Sequence, residues 1–205
     1  MADFLERGVQ RFKREAFAAH RALFRRLASH QSPRVLFITC ADSRVVPSLI
    51  TQTKPGDIFV ERNPGNIVPV YSRESTGVAA SIEYAISVLG VEHVIVCGHS
   101  DCGAVKGILH PDKLAGVPAV SRWLAFGKPA LKRLDRIAGD AGEKRRLELL
   151  TGLNVLVQLE HLMTHPAVKR AVRRDALKVY GWVYRIEDGE ILQFDPATYR
   201  YRPWP

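Results

Sequence analysis

The apolar positions follow two rhythms, one helical and one strand-like, and their order predicts the architecture. Over residues 2–30, Phe4, Leu5, Val9, Phe12, Phe17, Leu23, Phe24 and Leu27 recur near the 3.6-residue period with Lys and Arg between them, which predicts a helix. Gln31-Ser32-Pro33 ends it. Next comes Val35-Leu36-Phe37-Ile38-Thr39, a run of β-formers with no polar alternation. Such a run suits a strand buried on both faces, as in a parallel sheet. A turn at Lys54-Pro55-Gly56 leads to a second strand, Asp57-Ile58-Phe59-Val60, and then to a loop, Arg62-Asn63-Pro64-Gly65-Asn66.

Residues 75–89 predict a helix, with Ser75 or Thr76 as N-cap and Gly90 as C-cap. A third buried strand, His93-Val94-Ile95-Val96-Cys97, runs into Gly98-His99-Ser100-Asp101-Cys102-Gly103 and a helix from Ala104. Residues 120–174 read as mostly helical, broken at Pro129, near Gly139 to Gly142, and at Pro166. Residues 179–186 and 191–194 flank Glu187-Asp188-Gly189-Glu190 as a closing hairpin. This order predicts an α/β fold: a mostly parallel central sheet flanked by helices, with a projecting N-terminal helical arm. With 205 residues, no repeat and no linker, the chain is expected to form a single domain, 1–205. Residues 1–30 carry many large apolar side chains for a surface helix, so the arm is expected to pack on a partner subunit.

Charge changes this picture little. Thirty Lys and Arg against 21 Asp and Glu leave +9, which raises the option of a zinc-stabilised nucleic-acid-binding module. The bases are spread over amphipathic helices with acids between them, and no basic patch is interleaved with aromatics, so no nucleic-acid partner is expected. No apolar run is long enough for a membrane span, and the charged start lacks the core of a signal peptide, so no membrane association and a cytoplasmic location are expected.

Cysteine changes it more. Three is an odd number, a poor fit to a disulfide framework, and in a cytosolic protein cysteines more often mean metal or catalysis. Cys97, inside a strand run, reads as a small core side chain. The others lie in two motifs just past strand ends, Cys40-Ala41-Asp42-Ser43-Arg44 and His99-Ser100-Asp101-Cys102, where open α/β sheets bind ligands. Cys40, His99 and Cys102 offer two thiolates and an imidazole, a set suited to Zn²⁺ with a fourth position left for water or for Asp42. Two thiolates neutralise the formal zinc charge, so a bound water needs help to ionise. Arg44 can hold the Asp42 carboxylate bidentately and keep it off the metal. Of the seven histidines only His99 sits in a motif; His20, His30, His93, His110, His161 and His165 read as surface or satisfied core.

These motifs, with Phe59-Val60-Glu61-Arg62-Asn63 and Glu83-Tyr84-Ala85, resemble a β-class carbonic anhydrase from about Gln31 through Gly181-Trp182-Val183-Tyr184. The resemblance implies a zinc-dependent lyase (carbonate dehydratase) that hydrates CO2 reversibly to bicarbonate and a proton with a zinc-bound hydroxide, as a homodimer or homotetramer. It implies zinc on Cys40, His99 and Cys102, and a catalytic Asp42–Arg44 dyad whose aspartate ligates zinc in a closed form. It further implies a substrate pocket lined by Gln31, Phe59 and Tyr84, where Gln31 could arrive from the neighbouring subunit. An allosteric subset has Trp three residues before the first cysteine; Phe37 stands there, so the chain resembles the subset without the regulatory bicarbonate pocket. Hydrolysis of COS or CS2 on the same zinc site is the nearest alternative.

Overall fold

In the computed structural model, residues 3–72 and 76–204 are described. The chain divides into two units, Met1–Ser32 and Pro33–Pro205. The first is helical: α1 (Asp3–Arg11), a π-helical turn (Phe12–Ala16), α2 (Phe17–Ala19) and α3 (Arg21–Leu27). Phe12, Phe17 and Phe24 cluster with ring centroids 5.3 to 6.3 Å apart, while Phe4, Leu5 and Val9 are exposed. The helix stops at Leu27, short of residue 30. The following Ser29, His30 and Ser32 are mediocre helix formers, and Pro33 disfavours helical geometry in the residue before it.

The second unit holds a six-stranded sheet ordered β2-β1-β3-β4-β5-β6. Strands β1 (Val35–Cys40), β2 (Ile58–Asn63), β3 (His93–His99) and β4 (Lys178–Tyr184) are parallel. Strands β5 (Ile191–Asp195) and β6 (Arg200–Pro203) close the sheet antiparallel, β5 through the expected hairpin. Two strands outrun their apolar patterns. β2 continues through Arg62 and Asn63, which the sequence places in a loop, and β3 continues to His99. The ladder with β1 and β4 holds these polar residues in extended geometry: Cys40 pairs with Asn63 and His99 with Tyr184. The metal-type residues Cys40 and His99 therefore end their strands rather than follow them.

The helices are α4 (Pro47–Thr51), α5 (Gly77–Ser87), α6 (Gly103–Leu109), α7 (Pro118–Leu124), α8 (Lys128–Ile137), α9 (Glu143–Leu162) and α10 (Pro166–Arg173). Thr76 caps α5 by accepting from the Ala79 amide at 3.2 Å; Ser75, the other expected cap, lies outside the described residues. Pro129 and Pro166 sit in the first turns of α8 and α10, where a missing N–H costs nothing. Leu36, Ile38, Val94 and Val96 form the main core with Val155 and Leu162 of α9, and alternate residues Phe37, Ile95 and Cys97 are buried on the opposite face. Both faces of β1 and β3 are thus apolar, as the unbroken runs predict. Close approach of α9 depends on Gly98 and Gly181, where a Cβ would lie 2.9 Å from Val155 and 2.8 Å from Leu159.

The end of α9 straps the segment that leaves the sheet. His161 Nδ1 donates to the Val68 carbonyl at 2.9 Å and His165 Nε2 to that of Pro69 at 3.0 Å, while Thr164 Oγ1 accepts from the Tyr71 amide at 2.8 Å. Burial holds both imidazoles below their ordinary 6.5, and His161 lowers His165 further. As pH falls the unfolded chain protonates first, so stability present above about 6.5 is lost from there toward the lower native values. The melting temperature is expected to drop between pH 7 and 5, and His165→Gln to reduce the proton uptake on unfolding by up to about one proton. Calorimetric melts over that range check this; an unchanged slope in the variant rules it out.

Candidate metal centre

β1 sends its chain to β2 on one side, and β3 leads on toward β4 on the other. Their C-terminal ends flank a topological switch point, where parallel sheets open a crevice. In that register Thr39 lies beside Cys97, so Cys40 and His99 project from neighbouring strand ends. The turn after β3 brings in Cys102, at the start of α6. All three side chains are buried, and their ligand atoms lie within 4.8 Å of one another.

The Cys40 and Cys102 sulfurs are 3.8 Å apart. Two thiolates ~2.3 Å from a tetrahedral ion stand about 3.8 Å apart, so the spacing fits zinc. His99 donates from Nδ1 to the Ser100 carbonyl at 2.8 Å. That bond sets the tautomer and turns Nε2 inward as a bare lone pair, and Nε2 is fully buried with no hydrogen-bond partner. An orphaned imidazole nitrogen within 4.8 Å of two sulfurs is the mark of a ligand set built for a cation. One of the two thiols is primed for ionisation: the hydrogen bond from Cys102 lowers the Cys40 thiol, with help from the Gly65 amide at 3.3 Å. The same bond, with burial, raises Cys102.

Asp42 stands beside this triad without joining it. Arg44 donates to Oδ1 from Nε at 2.9 Å and to Oδ2 from Nη2 at 2.8 Å, and its amide adds a bond to Oδ1 at 2.9 Å. Hydrogen bonding to this guanidinium holds the Asp42 carboxyl well below the usual carboxylate range. Oδ2 remains 3.8 Å from His99 Nε2.

A family model described as carbonic anhydrase matches residues 35–191. The chain belongs to that family. A carbonic anhydrase of Pseudomonas aeruginosa is 47% identical over 201 residues, covering 98% of this chain and 90% of the relative. Carbonic anhydrase 1 of Escherichia coli O157:H7 is 46% identical over 200 residues, with 96% and 89% covered. Among solved structures, the β-carbonic anhydrase CcaA superposes with a TM-score of 0.95 at 40% identity, covering 98% of this chain and 91% of that one. A tetrameric β-carbonic anhydrase of Sordaria macrospora reaches 0.81 at 32% identity, covering 93% and 94%. This β-class carbonic anhydrase is thus a zinc lyase, and its Cys–His–Cys cluster is positioned to hold the ion.

The carbonic anhydrase brings together Cys40, His99, Cys102, Asp42 and Arg44, but Phe59 and Tyr84 stand apart within the chain. Phe59 pairs with Leu36, four residues before Cys40, or about 13 Å back along the strand. Its ring lies 6.0 Å from that of Tyr84, which is half exposed. Gln31 is exposed in the first unit.

Sequence reasoning gave no role to two residues that brace the centre. Arg62 reaches back from β2 to donate to the Cys40 carbonyl at 3.2 Å and the Asp42 carbonyl at 2.8 Å. Ser100 Oγ donates to Glu187 at 2.7 Å and accepts from the Ile186 amide at 3.0 Å, anchoring the residue after His99 to the hairpin. Cys97 stays in the core, as expected, and burial pushes its thiol up to about 12.

The three cysteines should therefore separate by metal analysis. Cys40→Ser is expected to hold well under one zinc per chain after desalting and to melt lower, since metal binding and folding are coupled. Cys97→Ser is expected to keep one zinc while losing about 1–3 kcal/mol for a buried hydroxyl. Equal zinc contents would refute the assignment.

Proposed function

We propose that the chain hydrates CO2 reversibly to bicarbonate and a proton at this centre, with zinc on Cys40, His99 and Cys102 and with Asp42 and Arg44 as the working dyad. One observation carries the reading: Arg44 engages both Asp42 oxygens, which keeps that carboxylate off the triad and leaves a fourth position for water. When bound, zinc supplies the Lewis acidity that makes water a nucleophile near neutral pH. Asp42, ionised in its ion pair, accepts a hydrogen bond from the attacking water at Oδ2 and so orients its lone pair toward the CO2 carbon. Arg44 fixes that carboxylate in place and adds positive charge where bicarbonate forms.

Gln31, Phe59 and Tyr84 line the pocket in this reading, and a partner subunit supplies them. The 13 Å offset of Phe59 and the exposure of Tyr84 suit residues that face a neighbour's centre rather than their own. The assembly is a homodimer or homotetramer of 1–205 domains, each placing its 1–30 arm on a partner through Phe4, Leu5 and Val9. Phe37, fully buried edge-on against Trp182, stands where the regulatory pocket needs Trp, so CO2 hydration runs without that pocket. Three free cysteines suit a cytoplasmic setting; among the described residues no helix is long and apolar enough to cross a membrane.

Stopped-flow CO2 hydration at pH 8.5 tests the reaction, with COS and CS2 as competing substrates. Background rates at one zinc per chain would sink it, and faster COS or CS2 turnover would reassign it. Arg44→Ala is expected to keep its zinc and lose about a hundredfold in rate; full activity there removes the dyad. For the assembly, Leu5→Glu with Val9→Glu is expected to lower the solution mass measured by light scattering, and an unchanged mass counts against the arm.

A further inference from the structure

The Arg44 guanidinium is held on two sides, and only the inner side belongs to the dyad. Its outer side faces Asp101, which lies between the metal-type residues His99 and Cys102. Nη1 points to Asp101 Oδ2 at 3.4 Å, and Nη2 donates to the Asp101 carbonyl at 3.2 Å. Nε and the other Nη2 hydrogen serve Asp42, so the planar fork is engaged along both edges.

Two features suit Asp101 to this place. Its backbone is left-handed, at φ 54°, a conformation that Asp tolerates far better than most side chains, and this turn presents both its carbonyl and its carboxylate to Arg44. Lys106, one turn into α6, pairs with Asp101 Oδ1. The lysine occupies one oxygen and offsets the charge, so Asp101 anchors Arg44 without drawing it off Asp42. The distances agree, with 2.8 and 2.9 Å on the Asp42 side against 3.2 and 3.4 Å on the Asp101 side. Arg44 is 44% exposed, and without an outer anchor its head would exchange between Asp42 and solvent.

We propose that Asp101, balanced by Lys106, is a positioning residue that indexes Arg44 to the second metal-binding motif and so keeps Asp42 off the zinc. This rests on the dyad reading above. It predicts that loosening Asp101 lets Asp42 compete for the fourth metal position, which any ligand at that position will feel.

Azide binding to the cobalt-loaded full chain, followed by visible absorption, reads that competition without measuring turnover. Asp101→Gly removes the carboxylate and keeps the left-handed backbone, while Asp101→Asn keeps an acceptor for Arg44. The azide Kd is expected to rise about two- to fivefold in Asp101→Gly, the size an exposed ion pair supports, and less in Asp101→Asn. Arg44→Ala is expected to weaken azide about tenfold or more, and adding Asp101→Gly to it should change nothing further, because Asp101 acts only through Arg44. Wild-type azide affinity in Asp101→Gly, or additive losses in the double variant, overturns the proposal while leaving the dyad intact. Unchanged affinity in Arg44→Ala overturns the dyad, and the role of Asp101 falls with it.

Discussion

The parallel pairing of β1 with β3 is the constraint on which the rest of the site depends. In that register the two strands end together, and their chains depart in opposite directions, so Cys40 and His99 meet across a crevice neither motif could build alone. Everything that tightens the sheet near its C-terminal edge serves the same end. β2 extends to pair Asn63 with Cys40, and β4 extends to pair Tyr184 with His99. Beneath them, Gln158 and Asn154 of α9 hold the Val68 amide at 2.9 Å and the Gly65 carbonyl at 3.0 Å, fixing the loop whose amide touches the Cys40 sulfur. A buried polar network with its partners satisfied stiffens rather than weakens a core.

Electrostatically, the centre is a contest for one carboxylate. A cation on the triad would attract Asp42 from one side, while the Arg44 guanidinium attracts it from the other. Two thiolates would soften the first attraction by cancelling the formal charge of the ion. A bidentate pair reinforced by a backbone amide strengthens the second. The outcome is set by a balance of ordinary interactions rather than by one dominant bond, so modest changes around Arg44 should carry disproportionate weight.

The triad was legible in the sequence because apolar runs betray buried parallel strands, and parallel strands place their ends side by side. Asp42 and Arg44 were legible because two-residue spacing leaves little choice of partner. Other features left no such trace. β2 and β3 run past their apolar stretches, since ladder hydrogen bonds hold Arg62 and His99 extended regardless of side chain. β6 is a polar edge strand, fixed by pairing with β5 and by Tyr201 donating to the Gly152 carbonyl at 2.9 Å. Arg62 acts on backbone carbonyls, which carry no residue pattern to read. The separation of Phe59 from Cys40 depends on register, and hydrophobicity does not encode register in a strand apolar on both sides.

Gly98 carries a consequence for how the enzyme can vary. A side chain at that position meets Val155 at 2.9 Å, and its next neighbour along the chain is His99 of the Cys–His–Cys cluster. Any residue larger than glycine forces the Val155 methyl, or β3 and α9 themselves, to give way one residue before His99. Val155 and Gly98 are therefore free to drift only as a couple, with bulk on one side traded for bulk on the other. A helix that supplies none of the triad thus has its side-chain size limited by the geometry of the centre.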